Sequence, residues 1–369
     1  MNQPSFSFLG LGLIGGSIAK ALKAAYPKCH IRAYDSREET LGLAQSEGIA
    51  DEIFPILDES SGSKLCRSDY LFLCAPVSHN NENLLLIRPF LHPNLVLTDV
   101  GSVKTGIHEQ IRRLGLEANF IGGHPMAGSE RIGYQNSKAS LLENAYYILT
   151  PAEGVLEEKV KRYAALIRDM GALPLCLDYR QHDFVTAAVS HLPHIIASSL
   201  VNLVKDTDSE DGIMKMIAAG GFKDITRIAS SSTIMWQQIC MTNSVNISDL
   251  LGRYITSLQK IRDGIDRMDS KQLYSFFDNA RSYRESFIDS SSGPIKKAYT
   301  IHVEIPDEAG SLAAVATLLA LNQINIKNIG ITHNRESQDG VLRIEFHEPD
   351  AIGQAVRLLE NRGYSVFPK

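Results

Sequence analysis

No two of the five cysteines (Cys29, Cys66, Cys74, Cys176, Cys240) stand at C-x-x-C spacing, and their odd number leaves one unpaired in any disulfide scheme. Neither a disulfide framework nor a zinc cluster is therefore expected, and no metal site is called for. Scattered thiols of this kind suit a reducing compartment, which points to the cytoplasm. No apolar run approaches the roughly 20 residues of a membrane span. The N-terminal stretch MNQPSFSFLGLGLIGG has no basic segment ahead of its apolar part, so neither a membrane partner nor a targeting signal is expected. The net charge of -5 carries no basic excess. Nucleic acid and anionic lipid are thus not attracted by the chain as a whole, and any anion site must be local. Long repeats and low-complexity tracts are also missing, and tryptophan occurs once. What remains is an ordinary chain of 369 residues, 44% of them hydrophobic, enough for two or three domains with real cores.

Residues 1–177 alternate short β-like runs with helical patterns, the signature of a parallel sheet with crossover helices. FSFLG, IRAYD, YLFLCAP, NLVLTDV, NFIGGHP and AYYILTP read as strands, and IGGSIAKALKAAY and EETLGLAQSEG as helices. A helix near 155–169 and the apolar run ALPLCL close a doubly wound, Rossmann-type α/β domain. From residue 178 the alternation stops. HDFVTAAVSHLPHIIASSLVNLV and DLLGRYITSLQKIRDGIDRM carry apolar residues at helical spacing, so residues 178–290 are expected to be all-helical. IDSSSGPIKK concentrates Ser, Gly and Pro in linker fashion. Residues 298–369 then follow the order βαββαβ, a ferredoxin-like layout.

GLGLIGG places Gly10, Gly12 and Gly15 in G-x-G-x-x-G spacing, with Leu13 and Ile14 between them, directly after a strand and opening a helix. Such glycines permit a tight turn and close backbone approach to a pyrophosphate, while the helix start offers free N–H groups to the anion. Asp35 ends the second strand at the distance, about 20 residues, where a carboxylate holds the adenosine ribose hydroxyls. The plainer alternative is a glycine turn and a surface Asp. A carboxylate there favours NAD over NADP, with Arg37 nearby pulling the other way. Ligands of open α/β sheets bind outside the carboxyl ends of strands, where Ser102 and His124 fall. His124, in IGGHPMAGSE, suits a general base because its ordinary pKa lies near 6.5; the alternative is a turn residue bonded to backbone. Ser102, near Asp99, can contact substrate, cap the helix of VKTGIHEQIRRL, or both.

In the helical region, GGFKDITRIASSSTIMW brings Lys223, Arg227 and Trp236 into a Gly- and Ser-rich setting. Arg227 can grip a carboxylate through two parallel hydrogen bonds or sit in a surface ion pair. His191 and His194, flanking Pro193 in VSHLPH, are either pocket residues or partly buried helix-entry residues. In the C-terminal unit, IPDEAGSL sets Asp307, Gly310, Ser311 and Leu312 in a strand-to-helix turn, where backbone N–H groups can hold an amino-acid carboxylate. INIKNI supplies a facing strand with Asn325 and Ile326.

Taken in order, GLGLIGGS, TDVGSVK, GGHPMAGSE, VSHLPH and GFKDITRIASSSTIMW resemble the motifs of prephenate dehydrogenases of tyrosine biosynthesis, and the terminal unit is similar to an ACT domain. The resemblance covers nearly the whole chain. HPMAGSE and DITRIA carry more weight in it than the glycine fingerprint, which many dehydrogenases share. It implies NAD-dependent oxidative decarboxylation of prephenate to 4-hydroxyphenylpyruvate, with tyrosine as a feedback effector bound by the ACT unit. By the same resemblance His124 is the base on the ring hydroxyl, Ser102 hydrogen-bonds that hydroxyl or His124, and Arg227 binds a substrate carboxylate. Ser129, His191 and Trp236 line the pocket, Glu130 and Asp224 are gating charges, and the middle region forms a homodimer through intertwined helices. Three rivals stand beside it. Arogenate dehydrogenase uses the same constellation. A 3-hydroxyisobutyrate-type dehydrogenase relies on a catalytic lysine in the helical domain and leaves HPMAGSE unexplained. The third is a non-catalytic protein that senses NAD and an amino acid.

Overall fold

The computed structural model describes residues 3–128, 131–289, 299–306, 308–332 and 340–368. Ser129, Glu130, Asp307 and the linker around Gly293 lie outside the described residues. The chain divides into two compact units, Met1–Met268 and Asp269–Lys369.

The first unit opens with β1 (Ser5–Leu9), α1 (Leu13–Ala25), β2 (His30–Tyr34), α2 (Glu38–Ser46), β3 (Glu52–Phe54), α3 (Glu59–Leu65), β4 (Tyr70–Leu73), α4 (Asn80–Ile87), β5 (Val96–Asp99) and α5 (Thr105–Leu114). The strands form a parallel sheet of order β3-β2-β1-β4-β5, in register Phe6↔Ile31 and Phe6↔Tyr70. Helices cover both faces of such a sheet, which is why β4 and β5 are buried at every position and read as continuous apolar runs. Phe8 and Phe72 stack across β1 and β4 at 4.9 Å between ring centres. The order reverses between β1 and β4, and that switch point opens a ligand crevice at the carboxyl edge.

The next strands depart from the sequence expectation. β6 (Ile121–Pro125), β7 (Tyr146–Pro151) and β8 (Leu173–Cys176) form their own three-stranded sheet, joined to the parallel sheet, among the described residues, by the bridge Leu97↔Phe120. β6 and β7 run antiparallel, and β7 and β8 parallel. A parallel return needs a crossover, usually a helix. Among the described residues the β6–β7 connection holds only the short turns Tyr134–Asn136 and Ala139–Leu142, whereas α6 (Glu157–Asp169) joins β7 to β8.

The helical part of this unit holds α7 (Tyr179–Thr186), a π-turn at Ala187–His191, α8 (Leu192–Thr207), α9 (Ile213–Ile217), α10 (Gly220–Thr226), a 3-10 turn at Arg227–Ser230, α11 (Thr233–Thr242) and α12 (Ser244–Asp266). One expectation needs correcting here. The continuous run Tyr179–Thr207, 29 residues with a window of mean hydropathy 1.5, is long and apolar enough to cross a membrane by length and composition alone. It nevertheless places His182, Asp183 and His191 in the protein interior, and core helices of soluble proteins pass the same test.

The second unit begins with α13 (Ser270–Asp289). It continues β9 (Tyr299–Ile305), α14 (Ser311–Leu321), β10 (Ile326–Thr332), β11 (Gly340–Phe346), α15 (Asp350–Glu360) and β12 (Val366–Pro368). The strands make an antiparallel sheet of order β10-β11-β9-β12. Alternate residues Ile301, Val303 and Ile305, with Leu342, Ile344 and Phe346, bury one face against Val315, Leu319, Ala355 and Leu359 of the two helices.

Candidate active site

The glycine loop stands at the carboxyl end of β1. Gly10 adopts φ +100°, and a Cβ there would lie 2.7 Å from the Ala75 nitrogen. A Cβ on Gly12 would meet nothing within 4 Å, so the outer side of the loop is open. Gly12 caps α1 without a side-chain hydrogen bond, leaving the N–H groups of the first turn, from Leu13, Ile14 and Gly15, directed at the crevice. Asp35 is buried at the end of β2, where its two carboxylate oxygens accept the Leu11 and Arg37 N–H groups at 2.8 and 2.9 Å. Arg37 Nε stands 3.6 Å from the same carboxylate.

His124 is reached from the other sheet, one residue before the end of β6. The two glycines ahead of it are required by crowding. A Cβ on Gly123 would lie 2.6 Å from the Asp99 carbonyl oxygen, and one on Gly122 would lie 2.3 Å from Thr150 Oγ1. Beneath the strand, buried Lys104 donates to the Asp99 carboxylate and, at 2.8 Å, to the Gly123 carbonyl. The Gly123 N–H returns to Asp99 at 3.2 Å. This clamp ties the end of β5 to the backbone that carries His124.

His124 Nδ1 meets His182 Nε2 at 2.8 Å, and His182 Nδ1 meets Asp183 Oδ1 at 2.8 Å. A carboxylate only accepts, so His182 Nδ1 carries the proton toward it. When His182 carries only that one ring proton, its Nε2 accepts, His124 Nδ1 donates, and the lone pair of His124 is left on Nε2. Desolvation, reinforced by the nearby Lys104 ammonium, holds the His124 pKa well below its ordinary value. The imidazole is uncharged and free to take a proton. Burial pushes the Asp183 carboxyl up, but its hydrogen bonds to His182, to Thr105 and to the Lys104 and Thr105 N–H groups outweigh this and bring it below the usual range.

Asp183 also corrects the capping expectation. α5 starts at Thr105 with no cap from a side chain of its own. The cap is supplied by Asp183, which accepts the Lys104 and Thr105 N–H groups at 2.7 and 2.8 Å and the Thr105 hydroxyl at 2.6 Å. Ser102 sits half-buried ahead of the helix and does not cap it.

On the helical side, His191 is buried and its Nδ1 lies 3.2 Å from the Asn243 amide nitrogen. Trp236 meets His191 edge-on at 5.9 Å between ring centres and stacks on His194 at 3.7 Å. Burial pushes His191 down to about 4. Burial also lowers His194, aided by the charge of Arg227. Arg227 itself is exposed, in the turn between α10 and α11, and Asp224 is exposed on α10. Ring contacts thus join His191, Trp236 and His194 into one cluster. In the second unit, Gly310 (φ +101°) caps α14, which begins with half-buried Ser311 and exposed Leu312, and exposed Asn325 precedes half-buried Ile326 at the start of β10.

Lys104, His182, Asp183 and Asn243 were not singled out from the sequence. The available signal was Asp183, an acidic residue inside an apolar-periodic helix, because a carboxylate is almost never buried without partners.

A glycine loop at the switch point of a parallel sheet, with an uncharged histidine relayed to a buried carboxylate nearby, defines a nicotinamide-dependent dehydrogenase. Residues 18–174 match the family described as prephenate dehydrogenase, nucleotide-binding domain, and residues 178–279 the prephenate dehydrogenase dimerization domain. The prephenate dehydrogenase of Bacillus subtilis is 35% identical over 375 residues, 100% of this chain and 99% of that protein. The solved structure of prephenate dehydrogenase from A. aeolicus, in complex with hydroxyphenyl propionate and NAD+, is similar with a TM-score of 0.72 and 29% identity, covering 78% of this chain and 99% of that one. Synechocystis arogenate dehydrogenase is similar with a TM-score of 0.69 and 26% identity, covering 77% and 100%. The chain belongs to the prephenate dehydrogenase family.

Proposed function

We propose that this protein is a prephenate dehydrogenase, converting prephenate and NAD+ to 4-hydroxyphenylpyruvate, CO2 and NADH. The observation that carries this reading is the Asp183–His182–His124 relay, which ends in an uncharged imidazole whose Nε2 has no hydrogen-bond partner among the described residues. NAD fits the residues present: the open side of Gly12, the uncapped first turn of α1 and the Asp35 carboxylate match pyrophosphate and ribose. When bound, NAD+ supplies the hydride acceptor. His124 takes the proton of the 4-hydroxyl at Nε2, and the carbonyl character that develops expels hydride from the same carbon. The ring carboxylate leaves as CO2, its bonding electron pair passes through the ring to the 4-oxygen, and His124 returns its proton to that oxygen. Ser102 hydrogen-bonds the reacting hydroxyl or His124, Arg227 holds a substrate carboxylate, His191 and Trp236 line the pocket, and Asp224 is a gating charge. Side-by-side turnover of prephenate and arogenate by the full chain tests the substrate. Faster turnover of arogenate would assign the amino substrate instead.

Two substitutions test the binding groups. Arg227→Ala is expected to raise KM for prephenate by an amount matching about 1.5–3 kcal/mol for a hydrogen bond to a charged group, with a smaller drop in kcat. Lys at this position rescues only in part because it lacks the planar fork. An unchanged KM would return Arg227 to a surface role. Asp35→Ser is expected to narrow a preference for NAD+ over NADP+, since the carboxylate repels a 2′-phosphate. Equal use of both cofactors by the unaltered enzyme would contradict that assignment.

The domains in this reading are 1–177 for NAD, 178–290 for substrate and dimerisation, and 298–369 for regulation. The helical region leaves Leu203, Met216, Ile217, Met241 and Val245 more than half exposed in a single chain, a surface that a homodimer covers. A cytoplasmic location is part of the same reading, resting on five scattered cysteines without C-x-x-C spacing. The C-terminal unit, with its βαββαβ order, is taken as a ferredoxin-like ACT domain that binds tyrosine near Gly310 and Asn325. Tyrosine is expected to inhibit the full chain by favouring a less active arrangement. A chain ending near Gly293 should keep its activity and lose this response. Equal inhibition of the truncated enzyme would make tyrosine a competitor at the active site.

A further inference from the structure

Asn243, buried at the start of α12, is held in one orientation. Its amide nitrogen lies 2.8 Å from the Asp183 carbonyl oxygen, and its amide oxygen lies 2.7 Å from the Asn246 amide nitrogen. A backbone carbonyl only accepts, so the NH2 of Asn243 faces it, and the second N–H of that group is aimed at His191 Nδ1. His191 Nδ1 must accept, and the ring proton is confined to Nε2. Among the described residues, Asn243 is the one hydrogen-bond partner of the His191 ring.

Asp183 thus acts twice. Its carboxylate, through His182, puts the proton of His124 on Nδ1. Its carbonyl, through Asn243, puts the proton of His191 on Nε2. We infer that Asn243 and Asp183 are positioning residues that set two neighbouring histidines in opposite tautomers, His124 as proton acceptor and His191 as hydrogen-bond donor to an acceptor oxygen of the acidic substrate. The donor character of this side is reinforced by Trp236, whose buried Nε1–H beside His191 has no partner among the described residues. Because burial holds both histidines below their ordinary range, the tautomers persist at neutral pH.

The functional half of this inference rests on the reading of the protein as a prephenate dehydrogenase; the tautomers do not. Nitrogen-15 NMR of the full chain with labelled histidine, assigned through His124→Asn and His191→Asn, reads the ring protons with no substrate present. The expected result is a proton on Nδ1 of His124, the form less common in free imidazole, and on Nε2 of His191. A His191 proton on Nδ1 in the unaltered protein would overturn the inference, whatever the enzyme turns over. Asn243→Asp, which offers His191 only an acceptor, is expected to move that proton to Nδ1 while His124 stays as it was. The same variant should raise KM for prephenate roughly 10- to 100-fold, the effect of losing one hydrogen bond to a charged group, with kcat and KM for NAD+ much less affected. An unmoved His191 proton in a folded Asn243→Asp variant would remove Asn243 from its role. A moved proton with unchanged KM would remove His191 from substrate binding.

Discussion

His124→Asn is expected to lower kcat by roughly 10²–10⁴-fold, the usual size of a general-base contribution, while KM for prephenate and for NAD+ changes little. Asn keeps a hydrogen-bonding group toward His182 but cannot take the hydroxyl proton. The unaltered enzyme should also show where the base titrates. Burial and the Lys104 ammonium disfavour the imidazolium, so His124 remains a proton acceptor below its ordinary value of about 6.5. The acid limb of kcat/KM is therefore expected below that pH, and His124→Asn should lose the limb. A variant with near-normal kcat would return His124 to the role of a turn residue.

Asp183→Asn is expected to cost nearly as much, again roughly 10²–10⁴-fold in kcat, although Asp183 acts only through other residues. An amide nitrogen beside His182 Nδ1 donates instead of accepting. It would reverse the relay, so that His182 Nε2 donates to His124 Nδ1 and the His124 proton moves to Nε2, where the base is needed. The variant also weakens the cap of α5, at a cost of about 1 kcal/mol. A fall in kcat far larger than that loss of stability explains, with NAD+ binding at the glycine loop retained, separates relay from cap. The pH dependence of stability adds a check. Asp183 titrates below the usual carboxylate range in the folded protein, so its contribution is present above an unfolded pKa of about 3.9 and is lost as pH falls through the lower folded value. His108 and His191, both brought to about 4 by burial, bind protons more readily when unfolded, and stability should fall from about pH 6.5 downward. Asp183→Asn should remove the first component and leave the second.

The parallel half of the fold was legible because fully buried strands leave apolar runs and the glycine loop marks the turn into α1. The direction of β7 was not, since apolar runs in NFIGGHP and AYYILTP report burial and not polarity along a sheet. The placement of His124 at a strand's carboxyl end followed from the run before it. The need for Gly122 and Gly123 did not, because the groups that crowd them, the Asp99 carbonyl and Thr150, come from neighbouring strands. Ser102 looked like a cap for α5 because it stands close before that helix, yet the cap comes from Asp183, 78 residues beyond Thr105 in sequence. No local pattern encodes a partner at that distance. The run from Tyr179 to Thr207 read simply as apolar and helical, and the pair His182–Asp183 inside it passed as ordinary polar residues. Their burial becomes evident only once α7 is packed on α5.

The most direct test of the account is the stoichiometry of the reaction in the purified full chain, followed by NADH absorbance together with release of CO2 from prephenate labelled in its ring carboxylate. The predicted result is one NADH and one CO2 per prephenate consumed, with 4-hydroxyphenylpyruvate as the organic product and both signals falling together in His124→Asn. Absence of NADH formation with prephenate, or NADH without matching CO2, would contradict it.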